Sequence, residues 1–414
     1  MSHINARGRE KAHSPKSRAR RPLLEGLEDR LLLYSTTGTN WTYGSRITYS
    51  FMPDGTNIGG VPSSLFSTMN AYSSTASWEG AIEKAAAIWQ QVANLNLALV
   101  SDNGEAEGAA GNQQDDPNVG DIRIGAFPQA SGTLAETLLP PPANGGTNAG
   151  DLFFNSNQVF GTNGVDLLTV AIHEFGHALG LAHSAIQSAD LYAAYGGIKQ
   201  TLTSDDTAGI QSIYGAYPAR AGNNSGFATA ISLNANINGP GAWVSLSNLY
   251  LANSGDYEFY SVTVPSNTNG TLTVTMQSTN LSSLAPRLTL YNSSDQGLGQ
   301  ALSTNYGATV SFTISNVTAG QVYYIRCGPA STGAGSNGAF GLQVQMGTAA
   351  PAAIAAPNTV VTSQPDHGGG TYFLSKGAHG HKPGFHSKGL DSSCLLCHKL
   401  NCENRLRHQT KAAR

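Results

Sequence analysis

The sequence predicts an α+β domain over residues 36–217, then an all-β sandwich over 223–347, with basic segments at both ends. Three observations lead there. Apolar residues recur at helical spacing in several runs of the first region, interleaved with short extended runs, whereas the second region alternates apolar and polar residues almost throughout. Turn residues punctuate that second region at short intervals. Charge is divided as well: residues 1–30 carry 8 Lys/Arg against 4 Asp/Glu, residues 376–414 carry 8 against 2, and the stretch between holds 7 against 20.

Residues 1–35 open with a basic run to Arg21 followed by PLLEGLEDRLLL, which lacks the continuous apolar stretch of an ordinary signal peptide. No segment reads as a transmembrane helix. LEGLEDRLLL resembles the L-E-x-R-x-L-L segment near the start of large secreted and surface proteins of some bacteria, planctomycetes especially, and that likeness implies export; a short amphipathic helix is the plainer reading.

From Trp78 to Val100, WEGAIEKAAAIWQQVANLNLALV reads as a helix running into a strand, and Asp121–Gly125, DIRIG, as the next strand. The run HEFGHALGLAHS, His173 to Ser184, carries the chemistry. At 3.6 residues per turn His173 and His177 share a helix face, so both imidazoles reach one ion. Gly180 supplies the positive φ that ends a helix and turns the chain back, delivering His183 as a third ligand. Three neutral imidazoles leave one position of a tetrahedral zinc open for water, and Glu174 flanks that position as a candidate general base. A lone histidine would be read as a satisfied core residue, but five fixed residues at these offsets arise by chance in roughly one chain in 10,000 or fewer.

These residues resemble the metzincin metallopeptidases, and within them the matrixins, whose pattern is H-E-x-x-H-x-x-G-x-x-H followed by Ser. Leu202–Gly215, LTSDDTAGIQSIYG, resembles the closing matrixin helix. The likeness implies a twisted mixed sheet with three helices and a zinc endopeptidase acting on proteins or peptides. It further implies a substrate laid along the strand near Gly150–Asn155 as an added strand, and a pocket formed by the loop 184–203, where Leu191, Tyr192, Tyr195 and Ile198 favour an apolar or aromatic side chain. Two departures stand out. Leu191 occupies the place of the matrixin Met beneath the zinc, a swap of similar volume. Glu136 and Phe153 stand where ligands of a second, structural zinc are expected, so only one zinc is predicted. Calcium stays open, with Asp115, Asp116, Asp121 and Asp151 as possible oxygen donors. No Cys precedes Cys327, which excludes latency through a cysteine thiolate on the zinc.

After a boundary at Tyr217–Pro218 the runs YEFYSVTVP, GTLTVTMQS, RLTLYNSS, ATVSFTIS, VYYIRCG and FGLQVQM read as antiparallel strands with one buried face. In order, GDYEFYSV, GTLTV, LTLY and GQVYYIRC resemble the bacterial pre-peptidase C-terminal domain, which implies an accessory module of secreted peptidases. Asp256 and Glu258 are candidate calcium donors there, a solvated acidic turn being the alternative. Residues 348–375, rich in Ala, Pro, Thr and Gly, read as a linker. The last segment holds Cys394-Leu395-Leu396-Cys397-His398, matching the spacing for covalent haem, for a Cys/His zinc knuckle with Cys402, or for incidental thiols in a disordered tail.

Four cysteines in 414 residues mean that disulfides do not hold the first domain together. The acidic, Lys-poor body suits an extracellular protein and argues against nucleic acid as its partner. Two classes of function remain: a secreted zinc endopeptidase with Glu174 as base, or an inactive metzincin fold serving as an extracellular or cell-surface binding protein.

Overall fold

A computed structural model describes residues 34–161, 164–219, 222–237, 243–266, 268 and 270–347. Most of the N-terminal segment, the linker at 348–375 and the whole Cys/His tail lie outside the described residues.

The first half begins with β1 (Ile47–Phe51), the hairpin β2 (Asn57–Ile58) and β3 (Val61–Pro62), and the helices α1 (Leu65–Asn70) and α2 (Thr75–Val92). There follow β4 (Leu97–Leu99), β5 (Ile122–Phe127), β6 (Ala135–Thr137), β7 (Leu152–Asn155), α3 (Leu167–Ala178) and α4 (Ser204–Tyr214). Four helices thus stand where three were expected; the six-residue α1 is the addition. Five strands form one sheet in the order β4-β1-β5-β7-β6, parallel except for β6, which runs antiparallel to β7. Every residue of β1, β5 and β7 is buried, as in parallel strands covered on both faces.

Helix α2 packs on α3, where the Trp89 indole N–H donates to the Ile172 carbonyl at 2.9 Å. One apolar cluster, including Trp41, Trp78, Trp89, Phe154 and Phe175, joins the sheet to these helices. The irregular chain between β4 and β5 is held differently. Arg123, on β5 and fully buried, gives Nε and Nη2 to Asp102 at 2.9 and 2.8 Å and also reaches the Glu105 carbonyl at 2.8 Å.

The second half is mostly strand: β8 (Ile231–Ser232), β9 (Trp243–Leu251), β10 (Glu258–Thr263), β11 (Gly270–Gln277), β12 (Pro286–Asn292), β13 (Gly297–Leu302), β14 (Thr309–Val317), β15 (Val322–Pro329) and β16 (Gly338–Met346). They form two sheets, β13-β12-β15-β10-β8 and β14-β11-β16-β9. All ladders are antiparallel except the short β8–β10 pair. The alternation read from GTLTVTMQ appears directly, with Leu272, Val274 and Met276 buried and the residues between them partly exposed. Residues from both sheets meet in one apolar cluster containing Leu246, Val274, Leu288, Ile325 and Val344. Strands β8, β9 and β13, absent from the sequence reading, complete the set.

Candidate metal centre

Helix α3 is buried along its whole length and starts at Asp166, whose carboxylate accepts from the Thr169 N–H at 2.8 Å. The helix ends where the sequence placed the stop. Gly180 has φ +101°, and a Cβ there would lie 2.1 Å from the Thr39 carbonyl oxygen, so only glycine fits the turn. The reversed chain brings His183 back to the helix. His177 Nε2 lies 3.0 Å from His173 Nε2 and 3.1 Å from His183 Nε2.

The outer nitrogens are committed elsewhere. His173 Nδ1 is 2.7 Å from the Asp190 carbonyl and His177 Nδ1 is 2.8 Å from the Leu181 carbonyl, so each Nδ1 carries the proton and donates it. Both Nε2 atoms are then bare lone pairs converging with a third, an arrangement that is repulsive without a cation between them and is the one by which histidines hold a metal. Among the described residues this triad is the group of His, Cys, Asp or Glu side chains whose ligand atoms converge in this way. The donor set of three imidazoles suits zinc.

Glu174, one residue after His173, is fully buried, and its Oε2 accepts from the Thr137 hydroxyl at 2.6 Å. Thr137 sits on β6 next to Glu136, and nothing in its local sequence marks it as the partner of Glu174. The segment after the triad is fastened by the start of α4. Ser184 Oγ donates to Asp205 at 2.6 Å, while Asp206 accepts from the Asp190 and Leu191 amides at 3.0 and 3.2 Å and closes a capping box with Thr203.

A small cleft opens beside His173, lined by Val170, Asp190, Tyr192, Tyr195 and Lys199 among others. Tyr192 and Tyr195 therefore stand in it. Leu191 does not line it. That side chain is 2% exposed and lies under α3 against Gly176, where a Cβ would meet a Leu191 methyl at 2.8 Å. Ile198 is 72% exposed and also lies off the cleft, because neighbouring Lys199 turns inward, donating from Nζ to the Gln187 and Ala189 carbonyls at 2.7 and 2.6 Å. Burial, then the nearby Asp206, pushes the Asp190 carboxyl up to about 7.

The strand expected to receive a substrate needs correction. β7 is paired on both sides, with β5 and β6, so its backbone groups are spent; the edge strand on that side of the sheet is β6, Ala135–Thr137. Glu136 and Phe153, the departures from a second zinc site, face each other across the β6–β7 ladder, and Phe153 joins an apolar cluster with Met52, Ile58 and Phe127. Three of the aspartates considered for calcium hold backbone amides, Asp121 those of Thr48 and Asp115, Asp116 those of Asn112 and Asn118, and Asp151 that of Arg123, while the Asp115 carboxylate pairs with Arg46.

The Matrixin family profile matches residues 64–215. Karilysin of Tannerella forsythia is 37% identical over 161 residues, covering 36% of this chain and 31% of karilysin. Macrophage metalloelastase of Oryctolagus cuniculus is 35% identical over 33% of this chain and 29% of its own length, and human matrix metalloproteinase-20 is 38% identical over 33% and 27%. The match thus spans under a third of the length of each of these relatives. Matching sequence, a mixed sheet with few helices and three converging imidazoles agree that residues 64–215 form a matrixin domain whose His173, His177 and His183 could bind the zinc that such domains use.

Proposed function

We propose that this chain is a secreted zinc-dependent endopeptidase with Glu174 as its general base. The observation that carries this reading is the convergence of the three Nε2 atoms next to a buried carboxylate on the same helix. His173, His177 and His183 would hold the zinc, which when bound supplies a Lewis acid for the scissile carbonyl and lowers the pKa of water at its open position. Glu174 takes the proton of the attacking water on a carboxylate oxygen and later delivers it to the leaving amine nitrogen. The Thr137 hydroxyl fixes the Glu174 carboxylate for that transfer, holding Oε2 from the side of the sheet. The extended substrate pairs with the free edge of β6, and the cleft beside His173 receives a side chain next to the cut bond, with Tyr192 and Tyr195 as its walls and Asp190 and Lys199 as polar contacts.

In this reading residues 36–217 are the peptidase and residues 223–347 a β-sandwich of the kind that accompanies exported peptidases. Among the described residues no helix is long and apolar enough to cross a membrane, in keeping with an extracellular location. The test is hydrolysis of casein by the full chain beside Glu174→Gln, with zinc content measured in both. The variant is expected to keep its zinc and to lose about 10²- to 10⁴-fold in turnover, and a chelator to abolish the wild-type activity. Equal hydrolysis by the two proteins would overturn the assignment.

A further inference from the structure

We propose that the strand-rich half is a brace docked permanently on α2, held by its own contacts and not by the connecting chain. The centre of this contact is Gln90, a polar residue in the last third of α2 with no exposed surface. A buried amide is tolerated only when all its groups are paired, and this one is paired from both halves. Its Oε1 accepts from the Leu97 N–H of the first half at 2.9 Å and from the Ser283 N–H of the second at 3.0 Å. Its Nε2 donates to the Asn337 carbonyl at 2.7 Å, and the Asn337 amide returns a bond to the Gln90 carbonyl at 3.0 Å.

Around that centre the same two loops of the strand-rich half meet the first half again. Ser283 Oγ donates to the Leu97 carbonyl at 2.7 Å, the Ala339 N–H to Asn96 Oδ1 at 3.0 Å, and Arg46 Nε to the Asn280 carbonyl at 2.9 Å. Ala334 packs against the apolar cluster of the first half. Shape is matched as closely as hydrogen bonding: a Cβ on Gly338 would lie 2.6 Å from Gln90 Nε2. Ser283 and Asn337 are 2% and 1% exposed, so this polar set is dry. Transient interfaces keep such groups at a wet rim, whereas a dry set bonded in both directions, with only the Asn337 Oδ1 left over, is the signature of a core.

The brace reaches the metal centre through one residue. Trp89, next to Gln90, holds the carbonyl of Ile172, the residue before His173. A helix clamped by the strand-rich half therefore clamps the helix that carries two of the three histidines. This inference stands whether or not the chain hydrolyses peptides.

The test is to place a sequence-specific protease site between Ala219 and Gly222 in the full chain, cut it, and run the product on a sizing column under native conditions. The expected result is one particle containing both fragments, melting in a single transition. A second protein, cut in the same way and carrying Gln90→Ala with Asn337→Ala, should bind its fragments at least about tenfold more weakly. Separation of the cut wild-type fragments would overturn the proposal, and equal retention by the double variant would remove Gln90 and Asn337 as its lock. Should the double variant not fold, Ser283→Ala is read in the same assay, with weaker retention than wild type expected and equal retention counting against the lock.

Discussion

The two halves of the chain bury their polar groups in opposite ways. In the strand-rich half, long ladders spend the backbone groups on one another and the core is an apolar cluster fed alternately from two sheets. In the matrixin half, long irregular segments run between short strands, and buried side chains hold them: Arg123 with Asp102, Asp121 on the Thr48 amide, Asp206 on the Asp190 and Leu191 amides. The comparison shows what a reactive site requires of its surroundings. Here a helix carries the carboxylate and two imidazoles, the third imidazole arrives on irregular chain, and that irregular chain is held by specific polar anchors.

The largest expected effect tests those anchors. Arg123→Met leaves Asp102 buried without its cation and should destabilise the full chain by about 3–5 kcal/mol in denaturant titration, as loss of one partner of a buried pair does. An effect under about 1 kcal/mol would show that the irregular segment is held by other means and would break the contrast. A smaller effect lies where the halves meet. Burial, then the nearby Glu79, pushes the Glu83 carboxyl on α2 up to about 7, and it faces Tyr49 of the first half and Tyr306 of the second. Its folded-state value exceeds the ordinary one near 4.5, so the stability tied to its protonation is present below that pH and is lost as pH rises through about 7. Stability should fall by about 1–2 kcal/mol between pH 5 and 8, and Glu83→Gln should flatten that slope; an unchanged slope would sink the assignment. The smallest effect concerns Leu191, buried against Gly176 on the helix that carries His173 and His177. Leu191→Met is a volume-conserving swap in a packed place and should change stability by under about 1.5 kcal/mol with zinc content intact, which metal analysis and thermal melts check together.

The same contrast explains how much could be read from the residues. Alternation made β10, β11, β12, β14, β15 and β16 legible, because a period of two reports directly on one buried face. The mostly exposed β13, whose run GLGQAL sets only Ala301 against the apolar cluster, gave no such signal. In the matrixin half the triad was legible from spacing and Gly180 from the need for a turn. Thr137, Arg123 and Gln90 were not, since each is held by a partner far along the chain, Glu174, Asp102 and Asn337 respectively, and nothing local marks a polar residue that will be buried. Leu191, expected in the pocket wall, is instead buried against Gly176 of α3, which no local pattern reveals, and the β6 edge was missed because three residues carry too little pattern to reveal a strand that reverses direction.

The most direct test of the central claim is X-ray absorption at the zinc edge on the full chain loaded with one equivalent of zinc. The triad predicts a first shell of three imidazole nitrogens and one oxygen at about 2.0–2.2 Å, lost on His177→Ala. Sulfur scatterers at about 2.3 Å would place the ion on the cysteines of the C-terminal tail and contradict the account.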